Sequence, residues 1–277
     1  MAVPLAAERL LPSLLRILKG PHAAALGGSH AKRAADEHSD LDLYLFAEAV
    51  ASPAEIRAAL ASIADADIAI GGAANHLWGT NIDFRAGGLL VETTVRTVPL
   101  IESTLAECER GEVVATPMPW CPGGFFYNHA ALADLASCHP LHDPDGLLET
   151  WRSRAAAYPP ALREAIVARH APLATLWLDN PHYDSAIRRA DVVYTQSIVL
   201  ATIHNLLQLL YAINETPFPG DKRAIAHAAA FRRAPRDLPA TLARLAFPAA
   251  DPTPALLAEQ RTHLRRLATE TLALWRE

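Results

Sequence analysis

The sequence predicts an α+β fold, in which a small mixed β-sheet with flanking helices is followed by an all-helical domain. Strand-like alternation of apolar and polar residues is confined to the first 110 of 277 residues. The stretch 113–125 is rich in proline and glycine and reads as a linker. Beyond it apolar residues recur at helical spacing, and the abundant alanine favours helix. We therefore predict domains at 1–112 and 126–277.

The first elements are a helix and a strand that runs into a turn of small residues. Residues 4–19 carry leucines at helical spacing and are followed by Gly-Pro, a typical helix stop. Residues 22–26 (HAAAL) predict a short buried strand that leads into 27–29 (GGS), and 30–39 are polar and turn-like. Residues 40–46 (DLDLYLF) alternate with period two and give the strongest strand signal of the chain.

Further along, Ser52 and Glu55 flank a proline in a capping-box pattern and predict a helix start. Two strand-like runs, 77–84 and 89–98, are separated by Arg-Ala-Gly-Gly and predict a hairpin, followed by a helix over about 99–110. We find no strand pattern after the linker. The helices predicted there are 126–138, 146–156, 160–178, 183–214, 221–232 and 254–275.

Composition narrows the classes of partner and compartment. The formal net charge of −5 supplies no basic field for a nucleic acid backbone, so a nucleic acid partner is disfavoured. Three cysteines, Cys108, Cys121 and Cys138, lack metal-type spacing and leave an odd number, which favours a reducing, cytoplasmic compartment. We see no run of 18 uncharged apolar residues and expect no membrane-spanning helix.

Two carboxylates in the strongest strand suggest metal chemistry. Side chains two apart in a strand share a face, so Asp40 and Asp42 lie side by side. Their repulsion is offset when a divalent cation lies between them, and such oxygen ligands suit Mg²⁺. The pair alone also fits a solvated edge strand. The preceding Gly28-Ser29 turn favours the metal site, because glycines let backbone N–H groups and a hydroxyl approach phosphate oxygens.

This combination resembles the signature of the nucleotidyltransferase superfamily typified by DNA polymerase beta. The motif is an apolar strand, Gly-Ser, a spacer of about ten residues, and Asp-x-Asp on a second strand, matched here by Gly28-Ser29, Asp40 and Asp42. The stretch GSHAKRAADEHSDLDL is close to the bacterial version, which usually reads Gly-Ser-x-Ala-Arg-Gly. This chain departs from it with Lys32-Arg33 in place of Arg-Gly, which leaves the loop path open.

The resemblance implies a third carboxylate on a neighbouring strand. Glu92 is preferred, since its apolar strand leads into a helix, and Asp83, close to the predicted hairpin turn, is the alternative. Gly28, Ser29 and Lys32 would bind the nucleotide. The helical part is similar to that of aminoglycoside- and lincosamide-modifying enzymes, in which a lysine reaches the phosphates, and Lys222 is the match; an ordinary solvated lysine is the alternative.

The implied activity is transfer of a nucleoside monophosphate, AMP from ATP, to a hydroxyl of a small-molecule acceptor with Mg²⁺ as cofactor. Two other interpretations stay open: a non-catalytic regulatory protein that keeps the fold, such as an antitoxin-like partner, and an enzyme acting on protein or RNA. The sequence leaves the acceptor, the nucleotide preference and the oligomeric state open, and it does not say whether Glu92 acts as metal ligand, general base or both.

Overall fold

The computed structural model describes residues 5–33, 35–73, 76–247 and 252–276. Contacts divide the chain into two compact units, which are described separately. The first, which we call the sheet unit, consists of Met1–Cys108, Val114–Thr116 and Phe126–Ala157. The second, the helical unit, consists of Glu109–Val113, Pro117–Phe125 and Tyr158–Glu277. The predicted domain limits at 112 and 126 stay a prediction.

The N-terminal part of the chain combines a mixed sheet with helices, as predicted. Its strands are β1 (Leu18–Leu26), β2 (Leu41–Val50), β3 (Ala69–Ala73), β4 (Gly79–Ala86), β5 (Leu89–Thr97), β6 (Ala115–Pro117), β7 (Phe125–Tyr127) and β8 (His139–His142). Its helices are α1 (Leu5–Leu15), α2 (Gly28–Ala31), α3 (Pro53–Leu60), α4 (Val98–Glu109), α5 (Ala130–Ser137) and α6 (Leu147–Ala156).

Within the described residues, six strands form one sheet in the order β3-β4-β5-β2-β1-β8, and β6 pairs with β7 separately. In the large sheet β2 and β5 run parallel, and the other neighbouring strands are antiparallel. The carboxylate-bearing strand β2 is therefore central, with β5 on one side and β1 on the other.

The sheet has two unlike faces, because successive side chains of a strand alternate between them. The core face carries Leu41, Leu43 and Leu45 of β2, which pack with β5 and with apolar residues of α1 and α3. The site face carries the intervening residues of β2, beginning with Asp42. Towards the far end of this face Phe46 is buried against Trp151 of α6, with 5.3 Å between ring centroids.

Several local predictions are confirmed. Ser52 Oγ accepts a hydrogen bond from the Glu55 N–H, and the Glu55 carboxylate accepts one from the Ser52 N–H at 2.7 Å. The predicted hairpin between β4 and β5 turns at Gly87 and Gly88, whose N–H groups both donate to Asp65.

Other expectations are wrong. The first helix ends at Leu15 instead of residue 19, because the Gly-Pro pair lies within β1, where the pairing register shifts between Lys19 and His22. Strand β3 is not predicted, since its AIGGA sequence has few strand-forming side chains. Strand β8 contradicts our expectation that strands end at the linker, and its Pro140 is compatible with the edge position that it occupies.

The C-terminal part is mainly helical. Its helices are α7 (Pro160–Thr175), α8 (Pro181–Arg188), α9 (Val192–Ile213), α10 (Ala224–Ala228), α11 (Leu238–Ala246) and α12 (Pro254–Arg276). The helix expected at 183–214 is divided in two, because Ala190 has a left-handed backbone (φ +52°) and Asp191 caps α9 by accepting from the Tyr194 N–H at 3.2 Å.

The expectation that no helix spans a membrane stays a prediction. Helix α9 is long and apolar enough to cross a membrane, and 61% of its most apolar window is buried within the protein. A buried core helix meets the same criterion of length and composition. The burial of α9 supports this second interpretation.

Candidate metal and phosphate site

Three carboxylates converge at the start of β2. One oxygen from each of Asp40, Asp42 and Glu92 lies within 4.8 Å of the others. Asp42 and Glu92 are register partners across the parallel β2–β5 pair, which directs both side chains to the site face. Asp40 precedes the strand by one residue and follows a turn in which Asp36 Oδ1 accepts from Ser39 Oγ at 3.0 Å.

This donor set fits a small hard cation. Oxygens on opposite sides of Mg²⁺ are about 4.2 Å apart, because each Mg–O bond is about 2.1 Å long. Carboxylate oxygens within 4.8 Å of one another approach this geometry after small side-chain rotations. Without a cation three negative charges this close repel, so a cation at this point lowers the free energy of the arrangement.

Asp83, the alternative third acid, lies one strand further out. It is the register partner of Glu92 across the β4–β5 pair, so Asp42, Glu92 and Asp83 form a row across the sheet. Among the described residues the converging group includes Glu92 but not Asp83. Burial raises the pKa of Asp83, with a hydrogen bond from the Thr93 backbone opposing it. The roles of Glu92 and Asp83 stay predictions.

Two glycines bring the turn of residues 27–29 directly against β2. The Gly27 N–H donates to the Asp42 carbonyl oxygen at 2.9 Å. A β-carbon at Gly27 would lie 2.5 Å from the Tyr44 ring, and one at Gly28 would lie 1.6 Å from Asp42 Oδ2. Gly28 also has φ +54°, a conformation strained for other residues. The turn can therefore contact the Asp42 carboxylate only because these positions lack side chains.

Ser29 presents a hydroxyl suited to a ligand. Its Oγ is buried and has no hydrogen-bond partner in the part of the chain that the structure describes. Leaving such a group unpaired costs about 1–3 kcal/mol, and a phosphate oxygen that accepts from it would offset this cost. Lys32 follows as the C-cap of α2, with an exposed side chain.

Arg33 has a left-handed backbone, with φ +56°. Glycine would be unstrained in this conformation, whereas arginine adopts it at a cost of about 1 kcal/mol.

Three residues beside the turn are absent from the sequence predictions: Tyr44, Arg96 and Asp134. The Tyr44 hydroxyl donates to Asp134 Oδ1 at 3.3 Å, and Arg96 Nη1 donates to Asp134 Oδ2 at 2.9 Å. Burial, then the negative charges of Asp134 and Asp42, raise the pKa of Tyr44, which therefore stays protonated. Asp134 is 90 residues from Tyr44 in sequence, so no local pattern signals the contact.

Lys222 lies in the helical unit, in the turn before α10, and is exposed. The helix expected at 221–232 extends only from Ala224 to Ala228, so Lys222 does not lie in its first turn. The neighbouring Asp221 accepts from the Gly123 N–H at 3.0 Å and lies 3.6 Å from His204 Nδ1. The phosphate-binding role of Lys222 stays a prediction.

Residues 127–222 match a family model described as a domain of unknown function (DUF4037). Among solved structures the chain is similar to a nucleotidyltransferase-like protein from Exiguobacterium sibiricum 255-15, at 10% identity and a TM-score of 0.48, over 97% of this chain and 76% of the other. No curated protein matches the sequence.

Proposed function

We propose that the protein transfers AMP from ATP to a hydroxyl group of a small-molecule acceptor and releases pyrophosphate. The supporting observation is the convergence of Asp40, Asp42 and Glu92 beside a turn with a buried, unpaired Ser29 hydroxyl. A cation site and a phosphate site next to each other are what a nucleoside triphosphate requires.

In this proposal Asp40 and Asp42 hold the divalent cation, and Gly28 and Ser29 hold the terminal phosphates. Bound Mg²⁺ supplies charge neutralisation for the triphosphate. The acceptor oxygen forms a bond to the α-phosphorus while the bond between the α-phosphorus and the bridging oxygen breaks, and pyrophosphate leaves with that electron pair. Glu92 completes the cation site, accepts the proton of the acceptor hydroxyl, or does both. Lys32 neutralises phosphate charge, and the phosphate-binding role of Lys222 stays a prediction.

The competing functions are a non-catalytic regulatory protein and a transferase acting on protein or RNA. A protein that only keeps the fold has no need for three mutually repelling carboxylates, and this chain keeps all of them. The net charge of −5 disfavours an RNA acceptor. These observations favour an enzyme over a regulatory protein and disfavour RNA as the acceptor, and the acceptor assay below separates a small molecule from a protein.

The test is incubation of the protein with Mg²⁺, each labelled nucleoside triphosphate in turn, and a panel of polyols, amino sugars, RNA and protein acceptors. We expect pyrophosphate release, with ATP preferred and label transferred to one small-molecule class. Glu92→Gln should abolish release. The matched control is Glu48→Gln, the same change at an exposed position near the other end of β2, which should leave release unchanged.

Three other results of this assay would count against the proposal. Binding of Mg²⁺-ATP without pyrophosphate release for any acceptor would support the regulatory protein. Label on RNA or on a protein would support the macromolecular acceptors. Failure of the protein to bind any nucleoside triphosphate would contradict the proposal.

A further inference from the structure

We infer that Tyr44, Asp134 and Arg96 act together as a positioning relay, which holds the turn of Gly28 and Ser29 in the geometry that receives the terminal phosphates. The phosphate part of this inference rests on the proposed function. The holding of the turn does not, and it can be measured without any nucleotide.

Tyr44 is the member that contacts the turn. Its ring lies against Gly27, close enough that a β-carbon there would be 2.5 Å from a ring atom. Its hydroxyl donates a hydrogen bond to Asp134 Oδ1 at 3.3 Å. The Tyr44 ring thus packs against the turn at Gly27, and its hydroxyl is tethered to Asp134.

Asp134 fixes the Tyr44 hydroxyl in turn. It lies in α5, a helix that is itself anchored by buried residues on either side of Asp134, including Ala133 and Leu135. The two carboxylate oxygens have different partners, since Oδ1 accepts from Tyr44 and Oδ2 from Arg96. This division sets the rotation of the carboxylate.

Arg96 is held at several points. Its side chain is only 5% exposed, its Nε donates to the Trp78 carbonyl oxygen at 3.3 Å, and its guanidinium lies 5.8 Å from the centre of the Tyr44 ring. Arg96 is also a register partner of Phe46 on β2, so it belongs to the same sheet as Tyr44. The relay therefore begins and ends on the site face of one rigid sheet.

Stability alone does not explain this arrangement. A buried ion pair loses in desolvation about what it gains in attraction, and apolar residues of similar size are often equally stabilising or better. What a hydrogen-bonded pair adds is a defined direction for each donor and acceptor. Here it fixes the Tyr44 ring against Gly27, and thus the turn that contains Gly28 and Ser29. The segment matched by the family of unknown function includes Asp134, so one role of that segment would be to hold the turn of residues 27–29.

The test compares Tyr44→Phe, which removes only the hydroxyl, with Tyr183→Phe, the same change in the buried core of the helical unit. Amide hydrogen exchange is measured in the full-length protein without nucleotide. Loss of one hydrogen bond should speed exchange over 27–32 by about tenfold in Tyr44→Phe. Exchange there should be unchanged in Tyr183→Phe. Asp134→Asn, which keeps the shape of the carboxylate, should reproduce the effect of Tyr44→Phe.

A second measurement uses Mg²⁺-ATP as the probe. Tyr44→Phe should weaken its binding by about tenfold, and adding Asp134→Asn should weaken it little further, because both changes break the same relay. Unchanged exchange over 27–32 in both single variants would overturn the inference, as would faster exchange with unaltered ATP affinity. If the wild-type protein does not bind Mg²⁺-ATP, the proposed function fails together with the phosphate part, and hydrogen exchange alone decides whether the relay holds the turn.

Discussion

The core face and the site face of the sheet are built from the same strands, but the core face is apolar and the site face carries charged and polar groups. On β2 the core face carries Leu41, Leu43 and Leu45, each at most 1% exposed. The site face carries Asp42 and its neighbours, with clustered carboxylates, a buried ion pair and a nearby unpaired hydroxyl. Burial of the first set stabilises the fold, whereas the second set costs free energy without a ligand. Substitutions on the core face should therefore lower the free energy of unfolding, whereas substitutions on the site face should lower activity.

The largest effect is expected from Asp42→Asn on the site face. A catalytic cation contributes several kcal/mol to transition-state stabilisation, so loss of a ligand should reduce nucleotidyl transfer by about 10³-fold or more. The free energy of unfolding should be unchanged or slightly higher, since one of three repelling charges is removed. Pyrophosphate release and urea denaturation measure the two quantities. Full transfer activity in Asp42→Asn would contradict the metal assignment.

Leu43→Ala, the adjacent residue on the core face, should show the reverse. Removing a buried leucine costs about 2–5 kcal/mol of unfolding free energy. Transfer activity per folded molecule should be retained at low temperature. Urea denaturation measures this cost. The control is Leu176→Ala, because Leu176 follows the last residue of α7, is 54% exposed and should contribute little to the free energy of unfolding. If Leu43→Ala lowers the free energy of unfolding no more than Leu176→Ala does, the distinction between the two faces is contradicted.

Gly28→Ala tests the close approach of the turn to Asp42. The added β-carbon would meet Asp42 Oδ2, so Mg²⁺-ATP binding should weaken by more than about tenfold, the loss expected when charge-assisted contacts are displaced. Gly87→Ala is the matched control, because Gly87 has nearly the same φ (+58°) and no atom within 4 Å of the new β-carbon. Calorimetric titration measures both. Equal affinities in the two variants would show that the turn does not position Asp42.

Asp83→Asn should separate the two candidate third acids. Burial raises the pKa of Asp83 in the folded protein, so the folded state binds this proton more tightly than the unfolded state does. The free energy of unfolding therefore falls as pH rises through the titration of this carboxyl. Asparagine should thus increase unfolding free energy slightly at pH 7, with no gain at acid pH where Asp83 is protonated. Transfer activity should persist. Loss of activity in Asp83→Asn with activity retained in Glu92→Gln would show that Asp83, and not Glu92, is the third acid of the site.

The smallest effect is expected from Arg33→Gly. Glycine relieves the left-handed strain at φ +56° but adds freedom to the unfolded chain, so the net gain should be at most about 1 kcal/mol. Thermal unfolding measures it. The side chain is exposed, and Mg²⁺-ATP affinity should stay within about twofold. A loss of stability would show that the Arg33 side chain makes contacts that outweigh the backbone strain.

Sequence reasoning succeeded where the determining interactions are local. The alternation around Asp42, the Ser52–Glu55 capping box and the Gly87-Gly88 turn each depend on residues a few positions apart, and the structure contains all three. The register of β2 against β5 could not be read from the sequence alone, yet it is what places Glu92 beside Asp42.

Sequence reasoning failed where distant segments decide the structure. Strand β8 exists because β1 offers it an edge, and its own sequence contains a proline. Asp134 gives no signal of its own within an alanine-rich helix, and its importance comes from Tyr44, 90 residues earlier. The break before α9 did have a signal, since Asp191 is a typical N-cap residue that we assigned to the interior of a longer helix.

The central claim is that the site of Asp40, Asp42 and Glu92 binds a divalent cation, and Mn²⁺ titration followed by electron paramagnetic resonance tests it most directly. In the presence of a non-hydrolysable ATP analogue, the wild-type protein and Glu48→Gln should bind Mn²⁺, and Asp42→Asn should lose that binding. Lost binding in Glu92→Gln would assign Glu92 as a metal ligand, and retained binding would assign it as the general base. Mn²⁺ binding that is absent from the wild-type protein, or equal in all four proteins, would contradict the account.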